Sequence, residues 1–405
     1  CVEDAHWMDD PSRDLLAALA GDVAARRWLL LVARRRSGAP VEADPDLRLE
    51  LRPLPQSAMV SLVRGASAEA PLPAHVVDAL VARSDGNPLF LLEMVNSVQS
   101  GADVESLPTS VEGLLTARID RLATDDRALL RHLAVLGNEF DQRYVSDVVP
   151  PSIQTETGQA LLRLNDFVML DERGWVSFRH HLVRDVAYEG LPYRTRRELH
   201  SAVAESLRER AGDQVDEVAP LLSVHYWRAR RPHEAWTYSV MAGDQAAAAY
   251  ANADAVELYR RALSVAGQLQ LRDSDIVDTL EKCGDVQRLA GLTEDSRRSY
   301  VRARRLAPMD PVTRARMELK KAILDDRLGR LTSAIRDLRR GERELAGEES
   351  VGVRRLRGQL AGWEASVRIH QGRLADARTA SRRAISFAEP VGDQTTCARA
   401  FITLD

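Results

Sequence analysis

Lysine is almost missing from this 405-residue chain: of 56 lysines and arginines only Lys282, Lys320 and Lys321 are lysine, and none follows a glycine. A phosphate-cradling loop of the form G-x-x-x-x-G-K-[ST] needs that lysine against the β- and γ-phosphates, so no such loop lies within these residues. Cysteine is equally scarce. Cys1, Cys283 and Cys397 are odd in number, far apart and without metal-ligand spacing, which argues against a zinc site and fits reduced thiols in a cytosolic protein. Long apolar runs are absent too. The stretch WLLLVA at 28–33 is far shorter than the roughly 20 residues that cross a bilayer, and no signal peptide is visible. The charged fraction is 29% and the net charge only -4, so the balance points to neither a nucleic-acid arm nor an acidic tail.

What is there is ordinary globular material. At 405 residues and 45% hydrophobic content, the chain can bury a substantial core and divides into roughly two to four domains. Residues 1–54 read as the C-terminal part of an α/β nucleotide-binding domain. CVED ends a strand in two carboxylates, and in DDPSRDLLAALA Asp10 caps a helix, Pro11 opens it, and Leu15, Leu16 and Leu19 form its apolar stripe. WLLLVARRR then predicts a fully buried central parallel strand, and LRLELRP a short alternating strand. Residues 55–107 predict helices, two of them broken by the turn Asp85-Gly86-Asn87-Pro88, and form a helical lid domain.

Residues 108–200 combine helices with a β-hairpin, since FVML and WVSF flank Asp171 to Gly174; this is the make-up of a winged-helix domain. Residues 201–405 predict helices only, as tetratricopeptide-like repeats. Asn252, Gly291, Gly329 and Gly372 mark recurring turns at spacings of 39, 38 and 43 residues, a period that signals stacked helix pairs. The expected fold is therefore mainly α: a partial α/β nucleotide domain of the P-loop type, a winged helix, then an α-solenoid.

The residues that carry chemistry are few. Glu3 and Asp4, at the carboxyl end of a sheet strand, have the layout of a Walker B element, in which one carboxylate holds the hydrated Mg²⁺ beside nucleotide phosphates and its neighbour orients the attacking water. A pair of acids merely ending a strand in solvent is the plain alternative. Arg35, at the end of the next strand, is the candidate polar sensor, with Arg34 and Arg36 solvated.

VEDAHWMDDPS, WLLLVARRR, DGNPLFLLEMV and FRHHLVRDVAYEGL, in this order and spacing, resemble the signal-transduction ATPases with numerous domains, the STAND class. The nearest likeness is to bacterial proteins that join this ATPase to a class III adenylate/guanylate cyclase and a tetratricopeptide tail, and LLSVHYWRARRPHEAWTYSVMAGDQAAAAYANADAVELYRRAL looks particularly like them. The resemblance covers nearly the whole chain. It implies Mg²⁺ and water-orienting roles for Glu3 and Asp4, in an order it does not fix, and ATP/ADP as ligand. It implies adenine contact at Pro88, which is otherwise a helix-starting proline, and a nucleotide-sensing contact from His180 to the β-phosphate, with His181 the adjacent alternative. The P-loop and cyclase are then expected upstream of Cys1, the complete protein is expected to hydrolyse ATP, and this chain alone is expected to be inactive.

Two other readings stand beside that one: a large ATP-binding LuxR-type transcription regulator, and a non-catalytic helical-repeat scaffold. A protein partner or signal is expected on the concave face of the repeats, where Tyr226, Trp227, Trp236, Tyr250, Tyr259 and Trp363 are candidate contacts, although aromatics at helical spacing also build cores. Neither a membrane nor direct nucleic-acid binding is expected, and the location is cytoplasmic.

Overall fold

The computed structural model describes every residue except 4, 6, 7, 9, 24, 36–44, 69, 150–156 and 403–405. Two compact units divide the chain, Cys1–Ala123 and Thr124–Asp405. Both are mainly helical, and no helix among the described residues is long and apolar enough to cross a membrane.

The first unit begins with parallel pairing of Val2 and Val32. The Val2 N–H donates to the Leu31 carbonyl at 2.7 Å, and the Ala33 N–H donates to the Val2 carbonyl at 2.8 Å. Helix α1 (Asp10–Val23) lies between the two segments in the chain. The expected burial of residues 28–33 is not found: Trp28 and Leu31 are exposed and Leu29 is 90% exposed. A central parallel strand is buried by partners on both edges and helices on both faces, whereas this segment has one partner at one bridge among the described residues. Leu47, Leu49 and Leu51, expected in an alternating strand, are likewise exposed and belong to no strand.

Beyond them, α2 (Gln56–Ala66), α3 (Ala74–Ser84), α4 (Pro88–Gln99) and α5 (Val111–Asp120) share one core of Met59, Val63, Leu80, Leu91, Met94 and Leu114. The α3–α4 turn forms where its residue types demand it. Asp85 and Gly86 adopt left-handed φ values of 48° and 72°, Asn87 accepts a hydrogen bond from the Phe90 N–H at 3.2 Å, and Pro88 opens α4, a position where its missing N–H costs nothing. Only glycine fits the middle of this turn. A Cβ on Gly86 would meet Pro53 Cβ at 2.6 Å. Helix α5, read from sequence as the start of the winged-helix segment, packs on α4 through Leu114 and through Arg118 Nη1, which donates to both Glu93 oxygens at 3.0 Å.

The second unit opens with α6 (Thr124–Leu133), β1 (Glu139–Asp141), α7 (Thr157–Arg163), β2 (Val168–Leu170), β3 (Trp175–Phe178) and α8 (His181–Glu189). The strands form an antiparallel sheet of order β1-β3-β2 with Phe140 opposite Val176 and Met169 opposite Ser177. Asp171 fixes the β2–β3 hairpin, its Oδ1 accepting from the N–H groups of Arg173 and Trp175, both at 2.8 Å. Phe140, Val168, Val176 and Phe178 are buried beneath the sheet, and the buried Asp126 carboxylate of α6 is gripped by Arg163 of α7 at 2.7 Å. That fork satisfies a carboxylate which would otherwise be stranded.

Helices α9 (Tyr193–Ala211) and α10 (Val215–Arg228) lead into four antiparallel pairs and a last helix: α11 (Pro232–Ala248) with α12 (Asn252–Val265), α13 (Asp273–Leu289) with α14 (Thr293–Leu306), α15 (Pro311–Arg327) with α16 (Leu331–Glu344), α17 (Val351–His370) with α18 (Leu374–Ala388), then α19 (Gln394–Ile402). Each pair turns on one left-handed residue: Tyr250, Gly291, Gly329 and Gly372, with φ of 60°, 77°, 69° and 73°. The sequence reading marked Asn252 for the first turn. The residue that takes the strained conformation is Tyr250, and Asn252 opens α12. A non-glycine residue there stores roughly 1 kcal/mol of strain.

The pairs also share a packing register that periodicity alone does not reveal. Gly243, Ala255, Tyr259 and Ala262 of the first pair recur as Gly284, Ser296, Tyr300 and Ala303, then as Ala322, Ala334, Leu338 and Gly341, and then as Ala365, Ala377, Ser381 and Ala384; all are buried. The first helix presents a small residue, and in the first two pairs a tyrosine ring of the second helix lies on it. Each hydroxyl donates to the aspartate after the glycine: Tyr259 to Asp244 at 2.6 Å and Tyr300 to Asp285 at 2.7 Å. Burying such a ring contributes roughly 1.5–3 kcal/mol. The three lysines tie the same helices together. Lys282 Nζ reaches both Asp244 oxygens at 2.8 Å, Lys320 reaches Asp285 at 2.6 Å and Glu281 at 2.8 Å, and the buried Lys321 reaches Glu318 at 2.7 Å and Asp337 at 3.1 Å.

Candidate functional site

The residues singled out from sequence fall in both units. Glu3 follows the bridged Val2, and its side chain is exposed. Its partner acid, Asp4, lies outside the described residues. Arg35 is exposed two residues beyond Ala33, whose carbonyl accepts from the Ala5 N–H at 3.0 Å. Because the two segments run parallel, their carboxyl ends share one edge, which brings the neighbourhood of Glu3 and the segment leading to Arg35 together. Carboxylates at such an edge suit a hydrated cation. Among the described residues there is no group of three or more His, Cys, Asp or Glu side chains that could hold a metal.

Pro88 is the exposed first residue of α4, in the turn that rests on Pro53 and Leu54, where the Leu54 N–H donates to the Gly86 carbonyl at 2.8 Å. His180 belongs to the second unit. It sits at the N-terminal cap of α8 with its side chain exposed and making no capping bond, and His181 beside it is also exposed. Of the candidate aromatics, Tyr226 and Tyr259 are core residues, Trp236 and Trp363 are half-buried, and Trp227 and Tyr250 are exposed.

Sequence reasoning missed a buried histidine pair. Tyr188 of α8, His200 of α9 and His225 of α10 form a chain in which the Tyr188 hydroxyl meets His200 Nε2 at 3.0 Å and His200 Nδ1 meets His225 Nδ1 at 3.0 Å. Arg196, Arg184 and Arg228 lie over the Tyr188 ring at 4.7, 5.2 and 5.4 Å. Burial pushes His200 down to about 2 and His225 to about 4, with the neighbouring guanidiniums acting in the same direction. Both imidazoles are therefore neutral at neutral pH. One Nδ1 then donates to the other, and the pair clasps three helices where the hairpin segment meets the repeats. The three histidine and tyrosine positions are far apart in sequence and follow no spacing motif, so only the fold reveals them.

The fold defines a mainly α-helical protein whose C-terminal half stacks helix pairs. No family model matches the chain. An uncharacterized protein of Rhizobium meliloti (strain 1021) is 27% identical over 300 residues, which cover 69% of this chain and 29% of that protein. The chain thus spans less than a third of the curated relative's length. Among solved structures, a signal transduction ATPase with numerous domains (STAND) protein with a tetratricopeptide repeat sensor, from Pyrococcus horikoshii, superposes with a TM-score of 0.46 and 13% identity, over 99% of this chain and 64% of that one.

Proposed function

We propose that this chain is the switch and helical-repeat part of a regulatory, cytoplasmic ATP-binding signal-transduction protein whose output is an adenylate or guanylate cyclase. The observation that supports the reading is the isolated parallel bridge between Val2 and Val32, with α1 between them in the chain; it is the connection expected of an open α/β sheet, in which ligands bind beyond the carboxyl ends of the strands. The exposed Leu29, Leu31 and Trp28 support the same reading, since a sheet completed by further strands would cover them.

In this reading Glu3 and Asp4 hold Mg²⁺ and orient water, Arg35 senses the phosphates, Pro88 borders the adenine, and His180 reaches the β-phosphate in the ADP-bound state. Bound Mg²⁺ supplies charge neutralisation at the phosphates. The order helix, strand, helix, hairpin, helix from α6 to α8 supports a winged-helix domain, and α11–α18 support a repeat sensor that binds a partner and biases the ATP and ADP states. A non-catalytic scaffold is the second reading, favoured by the helical repeats together with the lack of a G-K-[ST] loop in these residues. The 405-residue chain alone is expected to give no Mg²⁺-dependent ATP hydrolysis in a phosphate-release assay; turnover that Asp4→Ala abolishes would contradict the proposal.

A further inference from the structure

We infer that the groove between α16 and α18 is a docking site for an acidic peptide segment that carries an apolar anchor residue. The inference rests on the reading of the repeats as a partner-binding element and is independent of the nucleotide reading. The groove is open to solvent, with a volume of about 910 Å³ lined by Ile335, Arg336, Arg339, Arg343, Arg357 and Phe387 among others, within the range of roughly 300–1,000 Å³ typical of ligand clefts.

Its charge is uncompensated. Several basic side chains elsewhere on the repeats bridge to acids, among them Arg297 to Asp325 at 2.8 Å, Arg304 to Glu344 at 2.7 Å, Arg316 to Glu281 at 3.0 Å, and Arg340, on the same helix, to Glu318 at 3.6 Å, while other exposed arginines such as Arg305 stand singly; the groove differs in gathering four unpaired arginines around one cavity. No carboxylate of the described residues pairs with Arg336, Arg339, Arg343 or Arg357. Arg357 donates instead to the Leu345 carbonyl at 2.7 Å, and Arg343 to the Arg339 carbonyl at 3.3 Å. The one acid in the lining, Glu342, is taken by Arg383 at 3.0 Å.

The arrangement selects the ligand. Arg336, Arg339 and Arg343 stand one above another on successive turns of α16, a stripe about 10 Å long, so they do not converge on one point as a phosphate cradle does. Carboxylates distributed along a peptide match that stripe, and each guanidinium fork can hold one in two-pronged geometry. The floor is apolar. Phe387, half-buried beside the buried Ile335, offers an apolar edge for an anchor side chain, and the Arg357 guanidinium lies 6.0 Å from its ring. None of the aromatic residues expected from sequence to contact a partner lines this groove, which holds four arginines.

The test is fluorescence anisotropy with the full 405-residue chain and a fluorescein-labelled peptide of repeated Glu-Leu-Asp-Phe, against its Gln-Leu-Asn-Phe counterpart, a single-stranded oligouridylate and ATP. The acidic peptide is expected to bind in a salt-sensitive way and its amide counterpart at least about tenfold more weakly. Arg339→Glu with Arg343→Glu is expected to weaken binding by about tenfold or more, Phe387→Ala by several-fold, and the exposed Arg305→Glu not at all, with far-UV circular dichroism unchanged throughout. Undiminished binding by the double variant overturns the groove while leaving the repeats as a binding element. Failure of the wild-type chain to bind the acidic peptide, or tighter binding of the oligouridylate or ATP that the double variant abolishes, overturns the acidic-peptide ligand itself.

Discussion

Gly284→Ala is expected to destabilise the α13–α14 pair by about 2 kcal/mol, even though alanine is the better helix former by roughly 1 kcal/mol. The new methyl would lie 2.4 Å from Cε1 and 2.8 Å from Cδ1 of Tyr300. That ring cannot step aside cheaply, because it is fully buried and its hydroxyl is fixed to Asp285. Hydrogen exchange in α13 and α14 reads the change directly, with an expected acceleration of roughly 30-fold. Gly65→Ala is the control: it sits in α2 with nothing near the added carbon, and should gain roughly 0.5–1 kcal/mol. The third pair supplies the remedy, since Ala322 there faces the register position occupied by Leu338. Gly284→Ala combined with Tyr300→Leu should therefore lose less than the two single changes added together. Additive losses would mean that the glycine and the ring do not share one packing site.

Acid should open the joint between the hairpin segment and the repeats. His200 and His225 take up protons at about 2 and 4 in the folded protein, below the ordinary 6.5 of an unfolded imidazole. The unfolded chain therefore binds more protons than the folded one through this interval. The contribution of the neutral pair is complete above about pH 6.5 and is lost as the pH falls, toward about 4 for His225 and about 2 for His200, at up to about 1.4 kcal/mol per pH unit for each histidine. At about pH 5 the two together amount to a loss on the order of 4 kcal/mol. The groups facing the pair, Tyr188 and the guanidiniums of Arg184, Arg196 and Arg228, offer no carboxylate that could stabilise an imidazolium. Thermal unfolding followed by circular dichroism from about pH 7.5 to 5 should show this slope in the wild type and a much flatter one in His200→Phe with His225→Leu. His132 adds a smaller effect of the same sign, because burial lowers it too. Parallel slopes in wild type and variant would remove the pair from the account.

Much of the helical framework was legible because turn chemistry is local. Asp85 to Pro88 announces its break, Asp171 to Gly174 its hairpin, and Gly291, Gly329 and Gly372 the turns of three pairs, each through residues whose backbone or side chain has few alternatives. The Tyr250 turn was missed since tyrosine carries no such signal. Burial of residues 28–33 was misjudged for a related reason. An apolar run says that a segment tolerates covering, while the cover itself has to come from other elements. Nor could pattern alone find the histidine pair or the arginine groove, since only packing brings His200 to His225, or the arginines of α16 to Arg357 and Phe387. Of the candidate site, the pairing beside Glu3 and the setting of Pro88 followed from strand and turn signals, and the nucleotide assignment came from motif resemblance.

The central claim is that Glu3 and Asp4 serve a nucleotide site. Calorimetric titration of Mg²⁺-ATP into the polypeptide that the complete open reading frame encodes tests it most directly. Saturable binding is predicted, accompanied by hydrolysis that Glu3→Ala or Asp4→Ala abolishes. A folded polypeptide from that reading frame that binds no nucleotide, or a reading frame that encodes no G-x-x-x-x-G-K-[ST] loop, would contradict it.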